Sequence, residues 1–80
     1  MIKAIKFYAD WCKPCGVLSN NLKDKDIESI NVEENIELAS KYSIRNLPTI
    51  LFFKNDELVE KKVGVITGEE FDSIINSLSI

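Results

Sequence analysis

The sequence predicts an α/β fold: a four-stranded mixed sheet flanked by helices, in the order strand, helix, strand, helix, strand, strand, helix. Three observations predict it. Across the first half of the chain, runs rich in β-formers alternate with stretches of helical spacing, which implies a parallel crossover. Later, the turn signal Asn55-Asp56-Glu57 separates two strand-like runs, which implies an antiparallel hairpin. The chain's 80 residues, 45% apolar and 29% charged, suit one domain over 1–80 with a small single core.

Each element has its own warrant. Ile2 to Tyr8 carries apolar residues on both faces, as in a strand covered on both sides. A helix is expected from Lys13 or Pro14 to about Asp24, with Val17, Leu18 and Leu22 on one side. Pro14 fits only in the first turn, where N–H groups lack intrahelical partners. Ile27 to Val32 reads as a strand. Glu33 to Tyr42 reads as a short helix with Ile36, Leu38, Ala39 and Tyr42 inward. Thr49 to Phe53 is a strongly apolar strand, and Leu58 to Val65 pairs back on it. Thr67 followed by Glu70 is a capping box, opening a helix with Phe71, Ile74, Ile75 and Leu78 at helical spacing.

Composition narrows the function. The net charge is −3 and no basic run occurs, which argues against nucleic acid as a partner. No segment approaches the roughly 20 apolar residues of a membrane span. Lys3 and Lys6 interrupt the first apolar stretch, so it is no signal-peptide core. The expected location is cytoplasmic and the expected state monomeric.

The two cysteines carry the chemistry. They lie in Trp11-Cys12-Lys13-Pro14-Cys15, after a strand and at a helix start. A bridge between thiols so close closes almost no loop, so it has little stabilising value. Across one helical turn the pair can open and close with little movement. The unpaired N–H groups and dipole of a helix start favour an anion, and Lys13 adds positive charge. Both lower a thiol from about 8.5 toward 7 or below. Cys12 is then the sulfur that attacks a partner disulfide, and Cys15 resolves the mixed disulfide. Two blander readings compete: inert structural thiols, or a metal site shared between two copies, since structural zinc takes four ligands and this chain supplies two cysteines and no histidine.

Phe7-Tyr8-Ala9-Asp10-Trp11-Cys12-Lys13-Pro14-Cys15 resembles the strand and active-site turn of the thioredoxin family. Tyr42-Ser43-Ile44-Arg45-Asn46-Leu47-Pro48-Thr49 resembles its second signature, and Lys62-Val63-Gly64 its hairpin glycine. The likeness covers almost the whole chain. It implies a minimal thioredoxin-like fold and a thiol–disulfide oxidoreductase with no cofactor beyond the redox-active Cys12–Cys15 disulfide. It implies that Pro48 is a cis-proline facing that disulfide. Trp11, Leu47, Val63, Gly64 and Val65 would form a shallow apolar rim for protein substrates, core packing being the rival role for each. Implied partners are protein disulfides, ribonucleotide reductase being one candidate, and a thioredoxin-reductase-type donor or glutathione.

Three departures accompany the resemblance. The chain begins at the active-site strand, as in a trimmed redoxin of glutaredoxin size. Gly16 follows the second cysteine where a basic residue is usual. Lys6 stands six residues before Cys12, where thioredoxins usually carry a buried aspartate. Lys6 is then either a partly buried amine serving Cys15, with Asp26 or Glu28 as partner, or a lysine that snorkels to solvent at a sheet edge. Two other functional readings remain: a glutathione-dependent glutaredoxin, and a binding module without turnover.

Overall fold

The computed structural model describes all 80 residues. The elements run β1 (Ile2–Tyr8), α1 (Lys13–Asn21), β2 (Glu28–Asn31), α2 (Ile36–Lys41), β3 (Thr49–Lys54), β4 (Glu57–Val63) and α3 (Gly68–Leu78). The four strands form one sheet in the order β2-β1-β3-β4. β2 joins β1 in parallel; β3 lies antiparallel to β1 and to β4. The mixed sheet expected from the pattern is therefore the one observed.

Burial explains why β1 alternates so poorly. It is an inner strand, and Ala4, Ile5, Lys6 and Phe7 are all buried. On one face Ala4, Ile50 and Phe52 pack with Leu18 of α1, Leu22 at its C-cap and Phe71 of α3. On the other, Ile5, Phe7, Leu51 and Phe53 lie under Leu38 of α2, with Tyr42 just beyond it. β4 closes one edge, and every one of its residues is exposed. Its Glu60, Lys61 and Lys62 discourage pairing with another chain.

Local chemistry sets the remaining boundaries. The β3–β4 turn has Asn55 at φ 51° and Asp56 at φ 70°, the left-handed pair that a two-residue hairpin prefers. Thr67 caps α3 by accepting the Glu70 N–H at 3.1 Å, while Glu70 reaches back to the Thr67 N–H at 3.5 Å. Gly64 sits at φ +98°, a conformation that side chains disfavour, and its N–H donates to the Pro48 carbonyl at 2.9 Å.

Several expected details shift. α2 begins at Ile36 rather than Glu33, because Asn31 holds the preceding turn. Its Oδ1 accepts the Glu33 N–H at 2.9 Å and its carbonyl the Glu34 N–H at 3.2 Å. Such a side-chain turn competes with helix. Ile36, expected inward, is 71% exposed. α1 ends at Asn21, short of Asp24, and the Asn21 side chain donates to the Ile66 carbonyl at 3.1 Å. Val17 is exposed, because the inward stripe runs through Cys15, Leu18 and Leu22. β2 is narrower than Ile27–Val32, and β4 ends at Val63 rather than Val65.

Candidate active site

The two cysteines lie where β1 hands over to α1. After Tyr8 the chain turns, and the Cys12 N–H donates to the Ala9 carbonyl at 3.1 Å. Cys12 then serves as the N-cap of α1, with extended backbone at φ −88°, ψ 105°. Its Sγ accepts the Cys15 N–H at 3.2 Å. Pro14 occupies the first turn, where its missing N–H costs nothing. No acidic residue lies in that turn, so nothing offsets the positive pole of the helix beside Cys12.

Cys12 and Cys15 are joined as a disulfide with Cα atoms 5.3 Å apart. Cys12 is 8% exposed and Cys15 3%; they cluster with Ala9, and Tyr8, Val32 and Leu47 pack against that cluster. Leu47 thus comes from the far side of the sequence to pack against the cluster that contains both sulfurs. The Leu47–Pro48 peptide bond is cis, and Pro48 is fully buried. Thr49 steadies this corner through Oγ1, which donates to the Asn46 carbonyl at 2.6 Å. Three apolar residues of the expected rim are exposed: Trp11, next to Cys12 in the chain, at 68%, Val63, which pairs with Thr49, and Val65. The bond from Gly64 to Pro48 fixes that loop to the corner. Lys13 is exposed at the helix start.

Lys6 is the one buried charged residue, at 7% exposure. It is not at a sheet edge, because β1 is an inner strand. Nor does it meet Asp26 or Glu28: Glu28 pairs with Lys3 at 3.4 Å. The Lys6 amine instead donates to Ser19 Oγ on α1 at 2.6 Å. Burial holds its ammonium below the usual lysine range. Ser19 was not among the residues singled out from sequence. Its place four residues after Cys15, one helical turn along the same face, was the available signal.

That burial carries a pH signature. The folded Lys6 binds its proton less tightly than the unfolded chain, so stability rises with pH through a window ending near the ordinary lysine value of about 10.4. Below that window the cost of the buried charge is fully present. Lys6→Met removes it, so the variant should unfold at higher urea than wild type at pH 7. The difference should narrow as pH approaches 10. A constant difference would mean that Lys6 is not desolvated.

A sulfur that caps a helix start, bridged to a second sulfur one turn along, just after an inner strand of a mixed sheet, defines a thiol–disulfide oxidoreductase. The thioredoxin family model matches residues 2–77. A thioredoxin of Buchnera aphidicola is 40% identical over an 80-residue alignment that spans 90% of this chain and 73% of that protein. The thioredoxin of Bacillus subtilis is 36% identical over 78 aligned residues, 88% of this chain and 75% of its own. A mutant thioredoxin from Halobacterium salinarum superposes with a TM-score of 0.83 at 34% identity, over 95% of this chain and 73% of that one. The chain belongs to the thioredoxin family, and the glutaredoxin alternative is not favoured. No group of three or more His, Cys, Asp or Glu side chains is placed to hold a metal ion. No helix is long and apolar enough to cross a membrane.

Proposed function

We propose that this chain is a dithiol electron carrier that reduces protein disulfides in the cytoplasm and is restored by a thioredoxin-reductase-type donor rather than by glutathione. The observation that carries the reading is the Cys15 N–H directed at Cys12 Sγ, which favours negative charge on that sulfur. In this reading the Cys12 thiolate attacks a substrate disulfide, and a mixed disulfide forms as one substrate sulfur leaves with the bonding pair. Cys15, deprotonated, then attacks Cys12, and the second substrate sulfur leaves. The pair has given up two electrons and is oxidised to the bridge; the substrate is reduced and its two thiolates take up protons.

Substrates would lie on the rim formed by Trp11, Leu47, Val63, Gly64 and Val65, of which Trp11, Val63 and Val65 are exposed apolar groups and Leu47 packs on the cluster that holds the sulfurs. An extended substrate strand would meet the Leu47–Pro48 backbone. Pro14 sets the first turn and Lys13 adds charge near its start. A reducing role fits a compartment where thiols are kept reduced. Ribonucleotide reductase is one candidate substrate.

The test is recycling. Oxidised protein is mixed with NADPH and either thioredoxin reductase or glutathione plus glutathione reductase, with a disulfide-bonded protein as acceptor. Trp11, exposed and next to Cys12, reports the redox state by fluorescence. NADPH consumption should be faster with thioredoxin reductase. Faster recycling by glutathione would overturn the proposed donor.

A further inference from the structure

Lys6 poses a problem that the sulfur chemistry solves. The residue is 7% exposed, its partly buried amine touches the Ser19 hydroxyl at 2.6 Å, and no carboxylate forms an ion pair with it. The elements around it offer none. Its neighbours in the sheet are Ser29 on β2 and Ile50 on β3, both uncharged. On its own strand face stand Ala4 and the phenol of Tyr8. α1 turns Cys15, Leu18, Ser19 and Leu22 inward, and its one charged residue, Lys13, is an exposed cation. On α3, Asp72 is engaged with Lys25 at 2.8 Å, Glu70 is engaged with the Thr67 cap, and Glu69 is exposed. A buried charge without a counter-ion is costly, and this one is tolerated under the active-site helix.

The group nearest along that helix able to become an anion is Cys15. Ser19 lies four residues beyond it, so the residue that tethers the amine is about one turn, roughly 6 Å, along the axis on the same face. In the disulfide, Cys15 carries no charge. In the mixed-disulfide stage it must lose its proton inside a site where it is 3% exposed, and burial alone opposes that ionisation.

We propose that Lys6, held by Ser19, is a positioning residue that supplies the counter-charge for the Cys15 thiolate, so that the resolving step proceeds near neutral pH. This rests on Cys15 being the resolving thiol. The step balances without another reagent. The Cys15 proton leaves to solvent, and the thiolate forms beside the ammonium. The thiolate pair then becomes the Cys12–Cys15 bond as the Cys12–substrate bond breaks, and the substrate sulfur departs with the electrons. The site returns to a neutral bridge with Lys6 still charged. Lys6 touches no reacting atom; it acts through the field at Cys15. The lowered affinity of Lys6 for its own proton is the reciprocal sign of the same desolvated position.

The test does not depend on turnover. In a Cys12→Ser background Cys15 is the only thiol, and its ionisation is followed by thiolate ultraviolet absorbance against pH. Adding Lys6→Met should move the midpoint upward by about one pH unit, leaving about tenfold less thiolate at pH 7. Lys6→Arg, which keeps the charge, should restore most of the shift. Ser19→Ala, which frees the amine, should move the midpoint upward by less, and serves as the decisive variant should Lys6→Met fail to fold. A midpoint unmoved in the folded variants, or moved equally by Arg and Met, overturns the proposal. Failure of the carrier reading would show instead as absent turnover in the wild type, whatever Cys15 titrates at.

Discussion

Cys12→Ser is expected to slow reduction of a test protein disulfide on the order of a thousandfold or more, while leaving the fold intact. The two halves have separate causes. A serine hydroxyl stays protonated near neutral pH and cannot exchange with a disulfide, so the attacking atom is lost. Yet serine is a preferred N-cap, so the bond to the Cys15 N–H, 3.2 Å in the present chain, has a ready substitute. Activity therefore falls without a matching loss in urea stability. Cys15→Ser should behave differently. Cys12 still attacks, nothing resolves it, and a disulfide-linked adduct accumulates on a non-reducing gel. Turnover above a tenth of wild type in Cys12→Ser would remove Cys12 from its role. Adduct in Cys12→Ser but not in Cys15→Ser would exchange the two roles.

The largest stability effect is expected at Phe52. Its side chain has no exposed area, and its ring meets that of Phe71 at 5.8 Å between centroids. It joins β3 to both helices of that face through Leu18, Leu22 and Phe71. Truncating such a residue to alanine costs about 3–5 kcal/mol. A chain of this length is held by only about 4–12 kcal/mol in all. Phe52→Ala should therefore unfold at a much lower urea concentration and, near the lower bound, be largely unfolded in buffer. Ile36→Ala, at a position 71% exposed, should change stability by less than about 0.5 kcal/mol. A loss below about 1 kcal/mol for Phe52→Ala would mean that this face repacks freely.

Much of the architecture was legible because local signals and global fold agree. The apolar run of β1 announces a strand buried on both faces, and Asn55-Asp56 supplies the left-handed turn that its hairpin requires. Thr67 and Glu70 mark a helix start that the hydrogen bonds reproduce. The errors arise where tertiary or side-chain contacts override periodicity. Asn31 takes the N–H of Glu33 and delays α2, so a position that looks inward on a helical wheel becomes exposed. Asn21 ties the end of α1 to Ile66, a contact 45 residues away that no window of sequence reveals.

The site was legible to different depths. Cys12-Lys13-Pro14-Cys15 is contiguous, so its spacing alone implies a helical turn. Leu47 joins the cluster that holds the sulfurs only after the sheet has formed, and here the resemblance rather than the spacing pointed to it and to its cis partner Pro48. Lys6 was ambiguous for a physical reason. Strand parity tells which face a side chain takes, but not whether its strand lies inside the sheet or at the rim. The strand order decides that, and Ser19 then appears as the partner.

One atom here holds two offices, since Cys12 Sγ both caps α1 and trades electrons. A sulfur bearing full negative charge is a better acceptor than one tied in a bridge. Each change of oxidation state should therefore tighten or slacken the opening coil of the helix, making the Cys15 amide proton a built-in gauge. Its exchange with deuterium would keep time with the catalytic cycle, slow when the dithiol is charged and quicker when the bridge is closed.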